Sequence, residues 1–129
     1  MSAFSDALAV TASGLKAQAT RLRILSENIA NTDTPGYRRK TVPFRLEASD
    51  TAVAQVAVGK VRLDRSELAR VHDPAHPLAD ATGHYDGSNV DLIIEIADAR
   101  EAQRSYEANL KMFEQTRQMS SGLMELLRR

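Results

Sequence analysis

A leucine seam of period seven at one end and forty residues without proline at the other constrain this chain to helices at both termini. Leu8, Leu15, Leu22 and Ile29 recur every seven residues, with Ala12, Ala19 and Leu25 on adjoining positions. Every seventh residue returns to nearly the same helix face, so residues 1–30 read as one helix with a narrow apolar stripe. Lys16, Gln18, Arg21, Arg23 and Glu27 make its sides polar. Gly14 is tolerable inside it at a cost of about 1 kcal/mol. The alanines favour close helix approach, so the seam is expected to meet partner helices. Residues 90–129 contain no proline and no glycine except Gly122; as one helix they would reach about 60 Å. Tyr106, Leu110, Phe113, Met124 and Leu127 fall on one seam, and Met112, Met119, Leu123 and Leu126 on the next. Two adjacent seams are too broad for a two-stranded contact. More than one partner helix is expected to cover them.

The middle reads differently. Asn31-Thr32-Asp33-Thr34-Pro35-Gly36-Tyr37 ends the first helix, because Thr34 precedes a proline and Pro35-Gly36 is a turn signal. Arg38-Arg39-Lys40 follows as a short basic run, read as solvated. From Thr41 the period becomes two: Val42, Phe44 and Leu46 alternate with Pro43 and Arg45. Pro43 marks an edge strand, and Gly59 sits where the second run, Val56 to Leu63, slips phase, the place for a bulge. A small hairpin or sheet over 41–65 is expected, then a long structured loop over 72–89. Ser88-Asn89-Val90-Asp91 reads as a capping box opening the last helix. The expected fold is mainly α: long terminal helices in a coiled-coil-like bundle around a small β-rich middle. The expected segments are 1–30, 31–89 and 90–129.

Composition excludes several classes of function. Among 129 residues, 17 basic and 17 acidic side chains balance, unlike the basic face of a nucleic-acid binder. No cysteine is present, so neither a disulfide framework nor a thiolate metal site is available. No apolar run approaches the ~18–20 residues that span a bilayer. The start lacks the basic and long apolar regions of a cleaved signal peptide. Charge is uneven, with seven basic and three acidic side chains over 1–45, four and ten over 46–99, and six and four over 100–129. Basic ends around an acidic middle could attract identical copies to one another.

Candidate chemistry is sparse. His72, His76 and His84 lie among Asp73, Asp80 and Asp86, residue types that bind zinc. Pro74 breaks the spacing that would put His72 and His76 on one helix face, so a metal-binding module is the lesser alternative. No nucleophile elbow or phosphate loop is present. No catalytic residue, cofactor or metal is expected.

The segment Asn28-Ile29-Ala30-Asn31-Thr32-Asp33-Thr34-Pro35-Gly36-Tyr37 resembles the N-terminal signature of the bacterial flagellar rod and hook family. Pro77 to Gly83, Asn89-Val90-Asp91 and Ser105-Tyr106-Glu107-Ala108-Asn109 resemble the family's small proximal rod subunits. Gly87-Ser88 stands where many relatives have a proline, which bears on loop shape. The resemblance covers nearly the whole chain. It implies a structural subunit of the basal-body rod, in the periplasm, exported by the flagellar type III apparatus without a cleaved signal. The implied partners are other copies, the proximal and distal rod proteins and the protein joining the rod to the MS ring. A sister proximal rod subunit is the nearest alternative. The expected subunit interface is Leu8, Leu15, Leu22, Leu25 and Ile29 with Tyr106, Leu110, Met112, Phe113, Met119, Leu123 and Leu126.

Overall fold

The two proline-free stretches form two antiparallel helices, α1 (Ser2–Ala30) and α2 (Leu92–Leu127). The computed structural model describes residues 2–50 and 52–128; the expected ends at Met1 and Arg129 lie outside them. Asn28 meets Glu95, Arg21 meets Glu101, and Gly14 faces Asn109. These contacts recur every seven residues along α1 and every six to eight along α2, close to the periodicity of a coiled-coil-like pairing. At 1.5 Å per residue α2 is about 10 Å longer than α1. In this register its last turn and a half runs past the start of α1.

The end of α1 is fixed by its own signature residues. Asn31 Nδ2 donates to Glu27 O at 2.8 Å, and Thr34 Oγ1 donates to Asn31 Oδ1 at 3.0 Å. Gly36 takes φ 75°, the left-handed region glycine enters without steric cost. Its N–H donates to the carbonyls of Asp86 and Gly87 at 3.2 and 3.0 Å. The corner is thereby tied to the segment that opens α2.

That opening corrects the expected capping box. Asp91 is itself the N-cap, its carboxylate accepting from Ile93 N and Ile94 N, a favourable position at the positive end of the helix dipole. Ser88 lies too far upstream to cap. Its hydroxyl donates to Thr32 O and accepts from Val90 N, stapling the connection to α1.

Between the helices lie β1 (Lys40–Thr41), β2 (Phe44–Ser49), β3 (Ala52–Val58), β4 (Arg62–Leu63), β5 (Arg70–His72) and β6 (His84–Asp86). β2 pairs antiparallel with β3, and β1 with β4, as one interrupted hairpin over the expected region. The ladder breaks at Pro43 and Gly59: Gly59 N donates to Pro43 O at 2.8 Å. A Cβ on Gly59 would lie 2.8 Å from Pro43 Cγ, so the close approach requires glycine. A register shift also falls between Glu47 and Ser49. The expected long loop instead contains the β5–β6 hairpin, Val71 opposite Tyr85. Three-residue strands are too short for alternation to reveal. The hairpin's long connection is held by Asp80, which accepts from Thr82 N, Thr82 Oγ1, His84 N and Arg70. These bonds, led by the Thr82 hydroxyl, hold its carboxyl well below the usual carboxylate range.

The core is thin. Ala17, Ile24, Leu25 and Ala102 are the buried apolar residues among those described. The chain exposes 9106 Å², against about 6,800 Å² expected from the surface scaling of a compact monomer of 14.2 kDa.

Candidate assembly interface

The face that α2 turns toward α1 mixes polar and small residues with two aromatics. Glu95 and Ala102 are fully buried, and Asp98, Ala99, Ser105, Tyr106, Asn109, Phe113 and Thr116 are half-buried along the same stripe. Across from it stand Gly14, Ala17, Arg21, Ile24 and Asn28. The large aliphatic residues of α2 therefore point elsewhere. Ile93 is 80% exposed, Met119 58% and Leu126 64%, with Leu92, Ile94, Ile96, Met112, Leu123, Met124 and Leu127 also exposed. Ile94, Met112, Met119, Leu123 and Leu126 form a stripe about a quarter turn from the Glu95 stripe, at 100° per residue. The stripe is densest over its last four turns, where Met112, Met119, Leu123 and Leu126 are all exposed.

The hairpin adds a second apolar face. β3 lies along α1, Val56 N donating to Ser13 Oγ at 3.1 Å. Phe44 and Leu46 of β2 remain exposed, Leu46 at 74%.

What holds this arrangement is a polar cluster at the junction. Asn28 donates through Nδ2 to Lys40 O at 2.8 Å and Glu95 Oε2 at 3.2 Å. Its Oδ1 accepts from Tyr37 Oη at 2.8 Å and Lys40 N at 2.9 Å. A primary amide has two donors and two acceptor sites, so Asn28 is fully satisfied. Arg39 Nε donates to Glu95 Oε1, and its guanidinium also lies 3.6 Å from Asp98 and 3.9 Å from Asp64. Asn89 works in parallel, accepting from Arg39 N at 2.6 Å and donating to Asp64 O at 3.0 Å. Burial, reinforced by the charges of Glu27 and Glu95, raises the Tyr37 hydroxyl above its ordinary pKa. Bonds from the Ser66 backbone and side chain hold the Asp64 carboxyl low.

The signature residues thus divide into two tasks. Asn31, Thr34, Pro35 and Gly36 shape the corner, while Asn28, Tyr37, Asn89 and Asp91 join α1, the first strand and α2. The expected interface residues also divide. Leu25 is covered by its own chain; Leu8, Leu15, Leu22, Ile29, Tyr106 and Phe113 are half-buried; Leu110, Met112, Met119, Leu123 and Leu126 are exposed. The intrachain stripe of α1 runs through Ala17, Ile24, Leu25 and Asn28, offset from the heptad leucines.

The basic run is not solvated, contrary to expectation. Arg38 NH1 donates to Asp64 O and Ser66 O, Lys40 pairs with Glu27, and Arg39 meets a fully buried glutamate. Glu95 gives its role away in one respect only: it interrupts an isoleucine run, Ile93-Ile94-Glu95-Ile96. His72 packs against His84 and His76 stacks on Tyr85 at 3.9 Å within the second hairpin. Among the described residues, no three His or carboxylate side chains converge as a metal site.

An antiparallel helix pair that buries a polar seam and presents an apolar one has the form of a subunit for assembly. Comparison with known proteins specifies which. The profile described as "Flagella basal body rod protein" matches residues 8–38, and "Flagellar basal body rod FlgEFG protein C-terminal" matches 81–126. The chain is 46% identical over 136 aligned positions to "Flagellar basal-body rod protein FlgC" of Agrobacterium fabrum, covering 99% of this chain and 98% of the relative. It is 34% identical to the protein of that name from Bacillus subtilis, over 98% and 99% of the two chains. With the Salmonella typhimurium relative identity is 33%, over 85% and 87%. The chain belongs to the flagellar basal-body rod protein family, within its FlgC group.

Proposed function

We propose that this protein is a structural subunit of the flagellar basal-body rod, a proximal segment of the shaft whose integrity motility requires. The observation that carries the reading is the inversion on α2, whose polar stripe faces its own chain while its aliphatic residues face outward. Full burial of an aliphatic side chain contributes about 1.5–3 kcal/mol, and these part-exposed side chains gain a fraction of that on assembly. Contacts that do not close into a ring generate an open helical array, as a shaft requires. Other copies and neighbouring rod proteins, proximal, distal and at the MS-ring junction, are the proposed occupants of the exposed faces. The export apparatus is the proposed route to the periplasm, and a thin core suits passage of an unfolded chain.

Met119→Asp with Leu123→Asp tests this. Both side chains are exposed, so the purified monomer should keep its helicity while cells exporting normal amounts lose incorporation into basal bodies and motility. A motile strain with an intact rod would overturn the proposal.

A further inference from the structure

Phe44-Arg45-Leu46-Glu47-Ala48 of β2 is exposed at every position, and β3 is its one strand neighbour among the described residues. α1 lies on the far side of β3, where Val56 N donates to Ser13 Oγ, so the outer edge of β2 is open. The pairing within the hairpin decides which backbone groups that edge offers. Gly59 N donates to Pro43 O, and Phe44 stands opposite Val58, Arg45 opposite Ala57 and Leu46 opposite Val56. Antiparallel pairs alternate between hydrogen-bonded and non-hydrogen-bonded. Arg45 and Glu47 therefore bond to β3, while the N–H and C=O of Phe44 and Leu46 point outward. The turning of Val56 N to Ser13, away from β2, follows the same alternation. Side chains alternate too: Phe44, Leu46, Val56 and Val58 share one face of the hairpin, Arg45 and Glu47 the other.

We propose that the open edge of β2 is a self-pairing surface whose partner is β2 of a second copy of this chain, antiparallel and centred on Leu46. The strand is self-complementary about that residue. With Leu46 opposite Leu46 of the second copy, Arg45 falls opposite Glu47 of the second copy, and Glu47 opposite its Arg45. Phe44 falls opposite Ala48, large against small. The two Leu46 residues exchange both N–H···O bonds, and the charged pairs occupy the non-hydrogen-bonded sites, where side chains come closest. Moving the register by two residues would instead set Arg45 against Arg45, or Glu47 against Glu47. Charges on an edge strand ordinarily deter a second strand; here opposite signs two residues apart accept an inverted copy and reject the neighbouring registers. Two strands alone make a marginal sheet, and three or more with an apolar face are needed for independent stability. The paired hairpins make four, with Phe44, Leu46, Val56 and Val58 of both copies on one face. The contact is isologous and closes on two copies, so it belongs to the free subunit and not to an open shaft.

The association state of the purified full chain tests this. Sedimentation equilibrium into the millimolar range should show a monomer–dimer equilibrium. Arg45→Glu should weaken the dimer at least several-fold, and Arg45→Glu with Glu47→Arg, which restores opposite charges across the pair, should recover it. Both side chains are exposed, so circular dichroism should match wild type in each variant. The chain has no cysteine, and Leu46→Cys meets its own counterpart at the twofold axis, with Cα atoms about 5.5 Å apart, within disulfide reach. It should oxidise to a linked dimer many-fold faster than Val53→Cys, an exposed position on β3. A monomer throughout the range, a dimer indifferent to Arg45→Glu, or equal oxidation at positions 46 and 53 would overturn the proposal. None of these results bears on the rod reading, which incorporation into basal bodies decides.

Discussion

Replacing Asn28 by Asp leaves shape and volume untouched and removes only the amide. In the native structure that amide donates at 2.8 Å to Lys40 O and at 3.2 Å to Glu95 Oε2. Aspartate donates to neither and brings a second carboxylate against Glu95, itself fully buried. Each buried group left without its partner costs about 1–3 kcal/mol. Two lost donors and the added repulsion together amount to about 4–6 kcal/mol, a large part of the 5–15 kcal/mol that stabilises a typical domain. Asn28→Ala loses the same donors, and also the acceptor for Tyr37 and Lys40, but adds no charge. The expected order of stability is wild type, then Ala, then Asp. Urea unfolding followed by circular dichroism measures it through the midpoint at constant slope. A loss below about 1 kcal/mol for Asn28→Asp, or a ranking of Asp above Ala, would refute the account of this amide as the centre of the junction.

Gly36→Val should cost on the order of 1–3 kcal/mol from backbone strain alone, since a Cβ there meets nothing within 4 Å; Gly36→Asn should recover much of it in thermal melts. Arg39→Ala should be at least as damaging as Gly36→Val, because it abandons the buried Glu95; near-neutral Arg39→Ala would contradict the ion pair. Gly59→Ala should destabilise through its clash with Pro43 Cγ, and Pro43→Ala should relieve it, a coupling visible in a double-mutant cycle. One of the three tyrosines, Tyr37, should ionise above the ordinary value near 10. A raised native pKa means the folded chain keeps a proton the unfolded chain gives up, so stability should decline as pH climbs past 10. Ultraviolet titration showing three identical tyrosines would exclude this.

Much of the fold was legible where a local cause sufficed. Pro35-Gly36 ends α1, and the seven-residue leucines and the proline-free stretch make helices irrespective of partners. Pro43 and Gly59 marked the interruption in the first hairpin because each has a local backbone consequence. The second hairpin escaped because three residues per strand carry no period. The polar cluster escaped for a deeper reason: Arg39 reads as a surface residue until Glu95, 56 positions away, is placed beside it. The seam of α1 was read from its heptad leucines, whereas its intrachain stripe runs through Ala17, Ile24, Leu25 and Asn28. Heptad leucines announce that a helix has partners; which partner takes which stripe depends on where the buried charge sits. The exposed methionines and leucines of α2 were legible as an unsatisfied face, since no helix in so short a chain is broad enough to cover them.

α2 shows its polar stripe to its own chain, and in the proposed assembly its aliphatic stripe meets other subunits. Single cysteines at Met119 and at Asn109, compared in the purified monomer and in isolated basal bodies, test it directly. Maleimide should label position 119 rapidly in the monomer and many-fold more slowly in the basal body, with position 109 slow in both. Equal labelling of position 119 in the two states, or a position 109 that reacts freely in the monomer, would contradict it.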